Sequence, residues 1–390
     1  MSKQSFVVCA FTWVSILFLF SWTVDKATAQ QSEYLLDNPD FVADMQAAID
    51  YAYDFRFDQA RASLSDWEQK YPDHPVWVFW DGLPVWWKIL NDLESEQHDS
   101  EFLEIMRRAD HASNRMLRGN RRHLDALVVK SLTNGLMARL HSNRHNWYHS
   151  FNHARTALNI LFNIEQIYPE TTDLQFGLGL YRYFAAFLAD EYRLVRTFSW
   201  MLPEGDRPGG LERLKEAAEN SAFFIPESTY FLGHIYLHFE KEYEKAEPFL
   251  NTLTENYPNN SYFQRLMLRT HFARRNIIKA TELADSLLAN DSFKSNKAFM
   301  EEVHTIRGRL YMRVRNFDRA EEHFKSALSL GEHFPNADKR RYQTQARYFL
   351  ARVYKDTHRT EQARAELQHI IRSRPDSPYL SNSRELLRQL

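Results

Sequence analysis

One pattern constrains this chain more than any other: the same order of small and large residues returns along it at helical spacing. Ala47 and Ala48 are followed by Tyr51, then by Ala60, Leu64, Trp67 and Pro72. Leu232 and Gly233 lead to Tyr236, Ala246, Leu250, Leu253 and Pro258, with the turn between the two helices one residue longer. Gly308 leads to Tyr311, Ala320, Phe324 and Ala327, and Leu350 and Ala351 lead to Tyr354, Ala363, Leu367, Ile370 and Pro375. Met267, Leu268, His271, Ala280, Ala284 and Leu287 form a weaker copy. Small residues let two antiparallel helices approach closely, the aromatic fills the space to the next pair, and proline stops the second helix. One pair cannot bury its apolar face alone, so such pairs stack on their neighbours.

Composition agrees. With 11 glycines and 13 prolines in 390 residues, a turn-dense β-sandwich or a glycine-loop nucleotide enzyme is disfavoured and an all-α chain is expected. The 49 basic residues are matched by 51 acidic ones, so there is no basic excess to displace counterions from phosphates, and no nucleic-acid partner is expected.

The repeated residues resemble the tetratricopeptide repeat, specifically over 41–74 and 226–377. The resemblance implies a right-handed α-solenoid of roughly eight antiparallel helix pairs, a non-enzymatic scaffold that holds a peptide or partner protein in its concave groove. Trp77, Trp80, Trp86 and Trp87 read as the core of a degenerate repeat, 123–169 as a long helix pair, and Leu174 to Ala189 as another first helix. The expected organisation is a signal peptide over 1–29, partly degenerate N-terminal repeats over 30–190, an insertion loop over 191–210, C-terminal repeats over 211–377 and a capping helix over 378–390. Phe198, Trp200, Met201 and Leu202 in the insertion are either tucked onto the solenoid or exposed to a partner or to a membrane surface, which would give peripheral membrane association.

Lys3, the apolar run Phe6 to Trp22 and Ala27-Thr28-Ala29 follow the order of a secretory signal, with cleavage expected after Ala29. Cys9 lies within the apolar run, so a mature chain would hold no cysteine, which fits a bacterial periplasmic protein stabilised by its core. The competing reading is a membrane-anchored adaptor that keeps the run as its anchor.

No catalytic residue and no cofactor is expected: phosphate-loop, serine-hydrolase, zinc-protease and calcium-loop motifs are missing, and Gly177-Leu-Gly179 lacks a third glycine. His141, His145, His149 and His153 recur every four residues. On one continuous helix they would share a face and could chelate a metal, His149 and His153 first among them, giving a metal-binding or hydrolytic protein. The polar run Ser142 to Asn146 reads instead as a turn that separates them. Arg107, Arg108, Arg115, Arg118, Arg121 and Arg122 read as a solvated helix end.

The resemblance also assigns the groove, which in this family is lined from the first helix of each pair. Carried onto this sequence, the lining is Tyr230, His234, Leu237 and His238; Arg265, Arg269, Phe272 and Ala273; Thr305, Arg309, Met312 and Arg313; and Tyr348, Arg352, Lys355 and Asp356. A basic face with aromatic interruptions suits an acidic peptide or a terminal carboxylate, held by charge-assisted bonds from guanidinium groups. It lacks the Lys/Asn pattern of chaperone-tail clamps. The corresponding test is charge reversal at Arg269 and Arg309, expected to abolish partner capture with melting temperature nearly unchanged.

Overall fold

The computed structural model describes residues 34–169, 171–191, 205–373 and 377–390. The signal segment with Cys9 and Ala29, the insertion residues Phe198, Trp200, Met201 and Leu202, and Pro375 lie outside the described residues. The described chain is all helical and divides into two compact units, one of residues up to 88 with 97–233, the other of 89–96 with 234–390.

The helices run in hairpins. In the first unit they are α1 (Pro39–Tyr53) with a second helix broken at Leu64 into α2 (Phe57–Ser63) and α3 (Ser65–Lys70). Then come α4 (Pro75–Asn91) with α5 (Asp99–Gly119), α6 (Leu124–Asn143) with α7 (Trp147–Ile167), and α8 (Leu174–Glu191) with α9 (Arg207–Asn220). Helix α9 thus starts four residues ahead of Leu211, inside the stretch expected to be loop. The helix α10 (Ile225–Ile235) leads into α11 (Tyr243–Asn256). The second unit continues with α12 (Ser261–Ala273) and α13 (Ile277–Ala289), α14 (Lys297–Arg313) and α15 (Phe317–Leu330), α16 (Arg341–Asp356) and α17 (Thr360–Ser373), and ends in α18 (Leu380–Arg388).

Starts are fixed by side chains that accept from otherwise unpaired backbone N–H groups. Asn38 takes the amides of Asp40 and Phe41 ahead of Pro39, and Asn260 takes those of Tyr262 and Phe263. The small residues of the pattern are buried where helices touch: Ala48, Ala60, Ala246, Ala320, Ala351 and Ala363 are all inaccessible to solvent. At Gly308 a methyl group would stand 2.7 Å from the Phe324 ring, so α14 and α15 touch at a distance only glycine permits. Gly179 does the same work in α8, where a Cβ would meet the Gly210 carbonyl at 3.0 Å; its glycines serve packing, with no nucleotide loop around them. The four tryptophans of α4 are buried, and α18 covers the end of the stack with Leu386 against Ala351 and Leu367.

One detail unifies the hairpins. Phe55, His145, Lys241, Arg275, Arg315 and His358 all have φ between 57° and 62°, and each is the penultimate residue before the second helix of its pair. The following amide bonds back across the turn: Arg56 to Tyr51, Asn146 to His141, Asn276 to His271, Asn316 to Tyr311 and Arg359 to Tyr354, at 2.8–3.0 Å. This is the left-handed helix ending that satisfies orphan carbonyls. In the 232–258 repeat the extra residue is absorbed upstream, by a π-helical turn over Tyr236–Glu240, and Glu242 bonds to Tyr236 across it.

Candidate functional site

The first helices α12, α14 and α16 of the second unit present the expected basic face, but its arginines differ sharply in what they touch. Arg265 and Arg269 converge on Glu302 of α14, which is almost inaccessible. Arg269 donates twice to it, at 2.5 and 2.8 Å, and Arg265 approaches at 3.1 Å. These cations hold the Glu302 carboxyl below its ordinary value against the opposing effect of burial, and Glu302 in turn holds the Arg269 guanidinium up. Charge reversal at Arg269 would therefore set a second carboxylate against a buried glutamate left with Arg265 alone, so the expectation that melting would be unchanged does not hold for this residue.

Arg309 has no such partner. Its guanidinium lies 4.4 Å from the Phe272 ring centre and 4.5 Å from that of Phe349, and Nη1 donates to Gln345 Oε1 at 3.1 Å. Gln345 is itself held, donating to the Tyr379 hydroxyl at 2.8 Å. Arg313 lies 4.3 Å from the centre of the same Phe272 ring, and Arg352 is 5.6 Å from that of Phe349. Together with Met312, Arg315, Phe317 and Asp356 these residues line an open cleft of about 390 Å³. Among the described residues none of Arg309, Arg313, Arg315 or Arg352 forms an ion pair, and Asp356 is the one carboxylate on the wall. Burial, together with the Arg313 and Arg341 charges, pulls the Arg309 guanidinium below its ordinary value. Burial and Arg275 do the same to Arg313. A site that disfavours its own cations is one that an incoming anion relieves.

The other expected groove residues are placed differently. Tyr230 belongs to the first unit and is 2% exposed, its hydroxyl accepting from Arg139 Nη2 at 2.6 Å; a side chain so enclosed lines no open groove. His234 is half-buried with its ring 4.6 Å from that of His238, which is exposed within the π-helical turn. Tyr348 packs on Tyr379, centroids 4.9 Å apart, under the capping helix. Arg315, Phe317 and Phe349 were missed by the family's spacing. Arg315 is the left-handed turn residue beyond the lining positions, Phe317 opens α15 and Phe349 sits beside a lining position on α16, so spacing along the first helices alone does not single them out.

The histidine ladder is broken by the hairpin turn. His141 ends α6, His145 is the left-handed turn residue, and His149 and His153 lie on α7. The His141 ring stacks against His149 at 5.2 Å and against His153 at 5.6 Å, with planes 30° and 6° apart. Stacked rings present faces to one another, and His153 Nδ1 is engaged by Asn134 Oδ1 at 2.9 Å. Among the described residues no group of three or more His, Cys, Asp or Glu side chains is arranged to hold a metal ion. No described helix is long and apolar enough to cross a membrane. All six arginines between 107 and 122 are exposed, Arg107 and Arg108 midway along α5, Arg115 and Arg118 toward its end, and Arg121 and Arg122 in the loop after it.

Two buried titratable groups flank this face. Burial pushes the Glu301 carboxyl up to about 7 despite its ion pair with Arg340 at 3.0 Å. Between α14 and α15, His304 and His323 stand with Nδ1 atoms 3.0 Å apart, and burial followed by the His323 charge pushes His304 down to about 4.

Stacked helix hairpins carrying exposed charge on their first helices define an α-solenoid of the protein-interaction class. The tetratricopeptide repeat family model matches residues 311–387, and over that stretch the chain is similar to tetratricopeptide repeats. No curated protein matches the chain.

Proposed function

We propose that this protein is an envelope scaffold, exported by its first 29 residues with cleavage after Ala29, that holds an acidic segment of a partner protein in the Arg309 cleft of the second unit. The observation that carries the reading is the set of four guanidinium groups in one cleft, unpaired among the described residues, with Arg309 within 4.5 Å of the ring centres of both Phe272 and Phe349. A guanidinium held by two rings and by Gln345 has lost conformational freedom before the ligand arrives, which lowers the cost of binding a carboxylate. Phe272, Phe349 and Met312 supply apolar surface for the residues beside that carboxylate.

The test is affinity capture of tagged mature protein from envelope extract of its source organism at low and high salt, with mass spectrometry of the captured proteins and of the N-terminus. The wild type is expected to retain a stoichiometric partner that high salt releases, and Arg313→Glu/Arg352→Glu to lose it while keeping its melting temperature. Equal capture by the folded variant removes the cleft from the reading, and a mature N-terminus at Met1 removes cleavage after Ala29 and favours the membrane-anchored adaptor.

A further inference from the structure

The second unit already holds one acidic peptide. Residues 89–96 belong to that unit, and Asn91 to Glu94 run across the N-terminal ends of α12, α14 and α16. The Asn91 side-chain oxygen accepts from Ser261 at 2.7 Å and from Asn296 at 3.2 Å, and its backbone carbonyl accepts from Arg265 at 2.9 Å. Asp92 takes both oxygens to Arg340, at 3.0 and 3.1 Å. The Glu94 carboxylate accepts from the backbone N–H of Arg341 at 2.9 Å, and its carbonyl from Asn336 at 2.7 Å. Leu93, between the two acids, is 36% exposed.

We propose that this rim is a second peptide-docking surface, distinct from the Arg309 cleft, and that an acidic partner segment of the pattern Asn-Asp-x-Glu binds there by displacing the chain's own Asn91–Glu94. Three observations make the resident segment exchangeable. Within Asn91–Glu94 the one apolar side chain, Leu93, is 36% exposed, so releasing these four residues uncovers part of a single leucine while Ile89 and Leu90 stay buried. The rim's cations keep internal partners when it leaves: Arg340 retains Glu301 at 3.0 Å and the Phe334 ring at 3.8 Å, and Arg265 retains Glu302. No buried charge is left alone, which is the condition that makes breaking such contacts expensive. Two of the contacts are to backbone carbonyls, which any extended chain offers, while the two carboxylates and the asparagine supply the selectivity. Tethering gives the resident segment a high effective concentration, so it suppresses weak competitors and yields to strong or multivalent ones.

The experiment uses the full chain and a fluorescein-labelled peptide with the sequence of residues 89–96, read by anisotropy. Asp92→Asn/Glu94→Gln is expected to bind the peptide roughly tenfold more tightly than wild type, because its own segment no longer competes. A peptide with both acids made neutral is expected not to bind. Equal binding to wild type and to the folded double variant overturns the proposal. A second readout needs no variant: saturating peptide is expected to speed amide hydrogen exchange over Asp92–Glu96 of the wild-type protein, and unchanged exchange overturns it. Arg313→Glu/Arg352→Glu is expected to bind the peptide as wild type does. If binding is lost there, the peptide occupies the cleft and the rim assignment fails while the cleft reading stands.

Discussion

Each unit encloses an arginine among aromatic rings, and the two are finished in opposite ways. In the first unit Arg139 lies 5.2–5.5 Å from the ring centres of Trp86, Tyr230 and Phe231. It also has its own carboxylate, Glu227, at 3.6 Å, which bonds to the Tyr53 hydroxyl as well. In the second unit Arg309 lies closer to its rings, at 4.4 and 4.5 Å, and has only the neutral oxygen of Gln345. The first arrangement is electrically closed and structural. The second is one carboxylate short, and the missing group is what a partner would bring. An arginine on the inner face of a repeat is therefore no sign of a binding site until its anion has been accounted for.

That contrast has a sharp test in the buried glutamates. Glu302 is about 1% exposed and answers two arginines, whereas the Glu227 side chain is 21% exposed and answers one. Glu302→Ala is expected to lose roughly 3–5 kcal/mol, since it strands Arg265 and Arg269. Glu227→Ala is expected to lose roughly 1–3 kcal/mol, because Arg139 keeps its rings and partial hydration. Urea denaturation of both variants measures the difference, and equal losses would break the distinction between a sealed and a partly open pair.

The flanking titrations give opposite pH slopes within the second unit. Glu301 is raised to about 7 in the folded chain, so its contribution is complete below its unfolded value near 4.5 and is lost as pH rises through 7. His304 is lowered to about 4, so its contribution is complete above its unfolded value near 6.5 and is lost as pH falls through 4. Each amounts to at most about 3 kcal/mol, and they oppose one another between pH 4.5 and 6.5. Glu301→Gln is expected to expose the histidine slope, stability falling by roughly 2–3 kcal/mol from pH 6.5 to 4 relative to wild type. His304→Asn is expected to show the reverse slope from pH 4.5 to 7. Parallel curves for wild type and Glu301→Gln would show that Glu301 keeps its unfolded value in the folded chain.

The hairpins of α14 with α15 and of α16 with α17 were legible because their small and aromatic positions are filled by glycine, alanine and tyrosine, while Leu268 and His271 make that of α12 with α13 a weaker copy. The hairpin of α6 and α7, legible as a long helix pair over 123–169, follows the same register with Ala138, His141 and Ser150, of which Ala138 and Ser150 are buried; a histidine and a serine in those places hid its membership of the repeat, and the same histidine belongs to the ladder. The charge pairing was illegible for a different reason. Glu302 lies on the neighbouring pair's first helix, outside the lining positions, so no spacing within one repeat connects it to Arg269. Which arginines remain open is a property of the stack.

A conservative exchange tests the open cleft directly. Gln345→Glu would give Arg309 the carboxylate that Arg139 already has, at a position now 3.1 Å from Nη1. It is expected to weaken capture of an acidic partner about tenfold, about 1.4 kcal/mol, with melting temperature unchanged or slightly raised. Undiminished binding would show that Arg309 is dispensable and shift the site toward Arg313 and Arg352.

The smallest expected effect concerns what the two units share. His145 in the first and Arg275 in the second occupy the same left-handed turn, at φ of 57° and 59°, where a Cβ crowds the following carbonyl and glycine does not. Glycine also has more freedom to lose on folding, so His145→Gly and Arg275→Gly are each expected to gain only about 0.5–1 kcal/mol, and to add when combined, being far apart in sequence and in separate hairpins. Thermal melts of the singles and the double measure this. Equal gains would establish the turn as one repeated device. A gain at Arg275 with a loss at His145 would mean that the stacked imidazoles beside His145 hold that hairpin together, which would make the first unit's turn a packing element where the second unit's is only a connection.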